Sequence, residues 1–339
     1  MSNAANDDEQ NLDLIHPEIV NESEPWPPQR PFVWSPSGWP SSPPPPAQPP
    51  KPNWRLHILL FVATCLCTFA AGFGVPRHDL PLLSTMIWNG LCYSVPVMTI
   101  LLCHEMGHFV QAKRYGVYAS LPYFIPMPFP PLGTLGAVIM LKSQIKSRRA
   151  LFDIGITGPL AGLVPTIIFL LVGLHYSSFE AKAAADAAST AEPTFSYGSP
   201  LLLDFLVEHI RQGRGIQASA DIMLHPMAFA GWVGLLVTSL NLIPIGQLDG
   251  GHVLYALLLK KSHKIATFLL FAAFFLTLIY WKTCGSWILM LTLLMFMGPR
   301  HPPTADDEEP LGTFRTVLGW LTLAFILVGF TPTPLVFSS

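Results

Sequence analysis

Charge is scarce in this chain. Of its 339 residues only 12% are charged, about half the share of a soluble domain, while 51% are hydrophobic and the mean hydropathy is +0.44. The formal net charge of −2 leaves no basic footprint, so no nucleic-acid partner is expected. Cysteine is sparse too. Cys65, Cys67, Cys92, Cys103 and Cys284 lie in or beside apolar segments and form no CxxC pair. That argues against a secreted disulfide framework and leaves them as small core residues. Residues 1–23 are polar and acidic with no apolar h-region, so no signal peptide is expected there. No internal repeat is evident, and no stretch suits a separate soluble module such as a PDZ domain.

What the chain has instead is long apolar runs. Windows near 56–75, 87–110, 154–174, 226–245, 265–281, 285–298 and 313–330 approach the roughly 20 apolar residues that a membrane span needs. The expected fold is an all-α polytopic membrane protein of about seven transmembrane helices, embedded in a lipid bilayer, with a short membrane-associated strand and loop region near its active site. Residues 1–53, rich in Pro, Ser and Trp from 24 onward, read as a disordered or extended tail. Residues 54–331 read as the membrane domain and 332–339 as a short C-terminal tail. Lys and Arg cluster on one side if the N-terminus is cytoplasmic: Lys113, Arg114, Lys142, Lys146, Arg148, Arg149, Lys260, Lys261, Lys264 and Arg300. Arg77, Lys182, Arg211, Arg214 and Lys282 fall on the other. This bias predicts an N-in topology. Within the long 175–225 loop, "LLLDFLVEHIRQG" reads as a short amphipathic surface helix.

Into this apolar background fall His104, Glu105 and His108 of "LLCHEMGHFV". An ionisable residue in a span costs about 2.5–3.5 kcal/mol on insertion scales and is a functional candidate by default. Four residues advance a helix by about 400°, so the two imidazoles share one face, the spacing that binds one Zn²⁺. Glu105 stands beside them, where it can take a proton from a metal-bound water. The competing reading is a helix end whose polar side chains meet water, since Lys113 and Arg114 follow soon after.

A catalytic zinc usually has three protein ligands. The best third candidate is Asp249 in "NLIPIGQLDGGHVL", where Pro244 and Gly246 break a helix and Gly250 and Gly251 let backbone come close. Broken helices at membrane depth occur where they line a cavity or are buried in protein. Asp249 could also serve simply as the cap of the helix that follows. Asn241 is either an interhelical hydrogen-bonding residue or part of the site. Gly158 and Gly162 of "GPLAG" read as small residues for close helix approach. His252 as a fourth ligand would leave no position for water, so it reads as second to the ligands or merely packed. His57, His175, His209, His225, His263 and His301 have no partner spacing and read as structural.

These residues carry a resemblance. HEMGH at 104–108, Asn-x-x-Pro-x-x-x-x-Asp-Gly at 241–250, Gly-Pro-x-Ala-Gly at 158–162 and "GTLGAVIML" at 133–141 are similar to the site-2 protease family of intramembrane zinc metalloproteases. The lack of a PDZ insertion and the segment "GPRHPPTADDEEPLGTFR" are most like its compact bacterial and plastid branch. A bacterial inner or cell membrane is the expectation, with an organelle membrane the open alternative. The resemblance covers most of 56–330 and implies hydrolysis of peptide bonds within transmembrane substrates. His104, His108 and Asp249 would be ligands of one zinc ion, Glu105 the general base that activates a zinc-bound water, and Asn241 a polar group near the substrate carbonyl. For this family the expected substrates are single-span proteins, often shortened first by another protease.

A helical substrate hides its peptide bonds and must unwind before water can attack. The proline-rich residues 122–131 forbid a regular helix, and the β-rich run that follows, with Gly133, Thr134, Leu135 and Gly136 at its start, could offer an edge strand to an unwound substrate. The alternative is a loop that packs over the site. Two other functions compete: a metal or ion transporter, and a proteolytically dead scaffold. A transporter has no need of a Glu directly after the first His of an HxxxH pair, and a scaffold no reason to keep the set.

Overall fold

The computed structural model describes residues 53–73, 82–129, 131–141, 145–181, 195–217 and 220–337. Almost all of the expected N-terminal tail, and with it Arg77, Lys142 and Lys182, lies outside the described residues. Among the described residues, four helices are long and apolar enough to cross a membrane. These are α1 (Trp54–Ala71), α2 (Leu82–Arg114), α3 (Arg148–His175) and α7 (Lys261–Ile279). Three shorter apolar helices, α5 (Pro226–Asn241), α8 (Trp281–Met297) and α9 (Thr313–Gly329), fall on the remaining apolar windows. The chain is therefore a multi-pass helical membrane protein, and among the described residues the four long and three shorter apolar helices together account for the seven expected windows. Two of the shorter helices have local reasons for their length. Helix α5 runs through the middle of the protein, where Ala228 and Ala230–Leu236 are all buried. It is surrounded by protein and need not match the lipid. Helix α8 is interrupted by a 3-10 turn at Gly285–Trp287.

The burial pattern is that of a membrane protein. Helix α1 turns Leu59 and Leu66 outward, each 64% exposed, and turns His57, Thr64 and Thr68 inward. Thr68 Oγ1 and Ser94 Oγ lie 2.7 Å apart and join α1 to α2. Such polar pairs tie helices together where lipid removes the hydrophobic drive for association.

Among the described residues, three two-stranded antiparallel sheets complete the fold. Strands β1 (Tyr123–Pro126) and β2 (Thr134–Val138) form a hairpin, with Tyr123 opposite Val138 and an irregularity between Phe124 and Pro126. The hairpin lies along α1. His57 Nδ1 donates to Pro122 O (3.0 Å) at one end, and Gly133 comes against the Cys67–Thr68 backbone at the other. At 1.5 Å per helical residue, that reach is about 16 Å along α1. The hairpin is thus sunk among the helices, as irregular backbone at membrane depth must be. Strands β3 (Ser178–Ala181) and β5 (Ala220–Met223) pair with each other. Strand β4 (Phe195–Tyr197) pairs with β6 (Leu335–Phe337), so the segment expected as a C-terminal tail contributes a strand. The expected surface helix is α4 (Leu201–Gly213).

The basic residues near the ends of α2 and α3 share one end of the molecule with the segment 298–312. Arg148 N donates to Asp306 O (2.9 Å), and Arg149 pairs with Glu309 (3.0 Å). Arg315, in the first turn of α9, grips Asp153 of α3 through both carboxylate oxygens at 2.8 and 2.9 Å, and Tyr115 OH donates to the same carboxylate.

Candidate metal centre

Helices α2 and α3 cross at glycines. A Cβ on Gly107 would lie 2.4 Å from Thr157 O, and one on Gly158 only 1.9 Å from His108 Nε2. The "GPLAG" glycines do more than permit close packing, because they make room for the histidines. Gly162 faces His104 in the same way, with its would-be Cβ 3.2 Å from Nδ1. Asp249 arrives from the other side, as the first residue of the ten-residue helix α6 (Asp249–Leu258). The break between α5 and α6 needs its glycines. Gly246 has φ +59°, and a Cβ on Gly250 would meet Leu242 O at 1.8 Å.

Three donor atoms converge. His104 Nε2 and His108 Nε2 lie 3.1 and 3.2 Å from the same Asp249 oxygen, and 3.2 Å from each other. His104, Glu105 and His108 are all buried, and the Asp249 side chain nearly so. His108 Nδ1 lies 2.7 Å from Ile154 O. A carbonyl only accepts, so Nδ1 carries the hydrogen and Nε2 faces the other two donors with its lone pair.

This triangle fits a zinc ion. Tetrahedral bonds of about 2.0–2.1 Å place ligand atoms about 3.3–3.4 Å apart. The observed edges of 3.1, 3.2 and 3.2 Å are close to that spacing. Two imidazoles and a carboxylate are also a donor set suited to zinc, and lone pairs so crowded call for a cation between them.

The triangle borders a cavity of about 160 Å³ lined by Glu105, Val138, Ile139, Asn241, Gln247 and His252 among others. Asn241 Nδ2 lies 3.1 Å from His104 Nε2, at the rim of the triangle. The Ile139 backbone N–H is the main-chain group that faces the Glu105 carboxylate. From His104 to Arg114 is ten residues, so the site lies about 15 Å along α2 from its basic end.

Four residues expected at the site lie elsewhere. Gly133 packs on α1, Thr134 Oγ1 donates to Ile125 O, Leu135 is 67% exposed, and Gly136 adopts φ +101° within the hairpin. None lines the cavity. The residues of the same run that do are Ala137, Val138, Ile139 and Leu141. Sequence reasoning also missed the Ile154 carbonyl and Gln247. Only the unexplained polarity of Gln247 between two glycines and the Asp was a signal.

Fold and site together define a helical membrane protein with a metal centre built from an HExxH helix and a distant Asp. Residues 92–280, more than half of the chain, match the model of Peptidase family M50, and the chain belongs to that family, the site-2 proteases. It is 33% identical over 261 residues to "Probable zinc metalloprotease EGY1, chloroplastic" of Arabidopsis thaliana, covering 76% of this chain and 46% of the relative. It is 38% identical over 179 residues to the protein of the same name in Oryza sativa subsp. japonica, covering 53% and 30%. To "Probable zinc metalloprotease EGY2, chloroplastic" of Arabidopsis thaliana it is 26% identical over 253 residues, covering 75% and 44%. The chain thus spans less than half the length of these relatives. No solved structure matches it significantly.

Proposed function

We propose that this chain is an intramembrane zinc endopeptidase that hydrolyses peptide bonds in or near the transmembrane segments of membrane-protein substrates. The observation that carries the reading is the triangle of His104, His108 and Asp249 with Glu105 on the wall of the same cavity. A zinc ion held by the three supplies a Lewis acid and makes water more acidic. The rest of the chemistry belongs to the chain. Glu105 takes the proton of the attacking water on its carboxylate and passes it to the nitrogen of the leaving amine. Asn241 holds an amide beside the cavity for the substrate carbonyl. The unwound substrate lies along residues 137–141, where the hairpin meets the cavity. The relatives' printed names, which call them zinc metalloproteases, support this reading.

The expected bacterial cell membrane and cytoplasmic N-terminus also stand as proposals. The named relatives are chloroplastic, so the side rather than the organelle is what the charge distribution supports. Thiol labelling of single cysteines placed at Lys113 and Arg214 in sealed vesicles should mark opposite sides. Labelling of both from one side would overturn the topology.

The direct test is cleavage of a single-span reporter in liposomes by wild type, by chelator-treated protein and by Asp249→Ala. Asp249→Ala removes the one carboxylate of the triangle, and its bound zinc is expected to fall at least tenfold, together with cleavage. Full zinc in that variant would remove Asp249 from the ligand set. The hairpin has its own test. Ile139→Pro deletes the N–H that faces Glu105 and breaks the strand run beside the cavity. Cleavage should drop about tenfold or more with zinc retained. Unchanged cleavage would separate the strand from catalysis.

A further inference from the structure

A row of hydrogen bonds runs from the cavity wall into the 298–312 segment, and each one dictates the next. His301 Nδ1 lies 2.5 Å from Pro302 O. That carbonyl can only accept, so Nδ1 of His301 carries a hydrogen. His301 is 7% exposed, and burial, with His263 nearby, lowers its imidazole to about 4, so the ring is neutral near pH 7. A neutral ring has one N–H, which leaves His301 Nε2 as an acceptor. His252 Nδ1 lies 2.6 Å from that atom and must donate to it. No carboxylate is hydrogen-bonded to His252 among the described residues, so this ring is neutral as well. Its remaining nitrogen, Nε2, then carries a lone pair with no partner among the described residues, on a side chain that lines the cavity.

The far end of the row is heavily braced. Tyr255 stacks on His301 with ring centroids 4.6 Å apart. Tyr255 OH donates to Asp307 (2.7 Å), as does Thr304 Oγ1 (2.7 Å). His263 Nε2 donates to His301 O (3.0 Å). His252 is not a fourth ligand, for it stands outside the group of donor atoms that lie within 4.8 Å of one another. An extended peptide in the cavity presents main-chain N–H groups, and the amides of Asn241 and Gln247 are the other uncharged polar side chains on its wall.

We propose that His252 contacts substrate: its Nε2 accepts a hydrogen bond from one main-chain N–H of the extended substrate beside the scissile bond, and His301 is the positioning residue that holds it in that tautomer. This rests on the endopeptidase reading, and the test separates the two. Full-length protein labelled with ¹⁵N-histidine in detergent reports each ring tautomer, with signals assigned through His252→Gln and His301→Gln. Both rings are expected as Nδ1–H tautomers. An Nε2–H signal at His252 would overturn the proposal without any assay of cleavage. In a second arm, reporter peptides carry one ester oxygen in place of one N–H at successive positions around the cleavage point. One position is expected to lower kcat/KM about tenfold in wild type and to have no effect in His252→Leu and His301→Phe. His301→Gln, which keeps an acceptor for His252, should restore the penalty. An ester penalty that persists undiminished in His252→Leu would also overturn the proposal. No cleavage of any all-amide reporter by zinc-loaded wild type would instead sink the endopeptidase reading, and the ring signals would still decide the tautomer.

Discussion

Glu105→Gln is expected to keep its zinc in full and to lose cleavage by about 10²–10⁴-fold, the usual contribution of a positioned general base. The amide matches the carboxylate in size, and its oxygen can still face the Ile139 N–H. What it cannot do is take up a proton from water. The His104, His108 and Asp249 side chains are untouched, so the loss would be one of chemistry and not of assembly. Zinc by mass spectrometry and reporter cleavage on the same preparation make the comparison. Cleavage within tenfold of wild type would end the general-base assignment. The same variant separates a peptidase from a metal transporter, because conduction of an ion through His104, His108 and Asp249 makes no use of a proton acceptor at Glu105.

The second large effect comes from a residue with no side chain. A methyl group on Gly158 would sit 1.9 Å from His108 Nε2, the atom that faces His104 and Asp249. Gly158→Ala must push α3 away from α2 or turn the imidazole, and His108 is held from behind by the Ile154 carbonyl. Zinc content is expected to fall tenfold or more, with cleavage lost in proportion and stability lower by about 1–3 kcal/mol from overpacking. Gly162→Ala provides the scale. Its added carbon meets His104 at 3.0–3.2 Å, a distance that a shift of a few tenths of an ångström relieves, so a few-fold effect is expected. Full zinc in Gly158→Ala, or a larger loss in Gly162→Ala, would contradict this order.

The sequence made visible the parts of the site that depend on local periodicity. The His104/His108 spacing is a property of any helix, and Asp249 was marked by the broken helix before it. The apolar windows located every long helix because lipid demands them. The rest needed tertiary contacts. Nothing in "GPLAG" says that Gly158 will face His108, since that follows from where α2 and α3 cross. A strand in this region was anticipated, but which of its residues meet the cavity depends on how far the hairpin slides along α1, and those on the wall are Ala137, Val138, Ile139 and Leu141. His301 was read as structural because its partner His252 lies 49 residues away in sequence.

Arg315 and His301 give the molecule an order of completion. A membrane protein is made from its N-terminus, and the His104/His108 pair emerges long before Asp249, 141 residues behind His108. Even then the site is unfinished. Asp153, next to the carbonyl that orients His108, receives its ionic partner only when Arg315 is made, and His252 gains its tautomer only with His301. A nascent chain therefore carries the donors of the centre among other unfolded membrane segments without their supports. The supports of His108 and His252 are added only once α9 and the segment before it have joined the bundle, so the centre reaches its full geometry after every residue that lines it has been made.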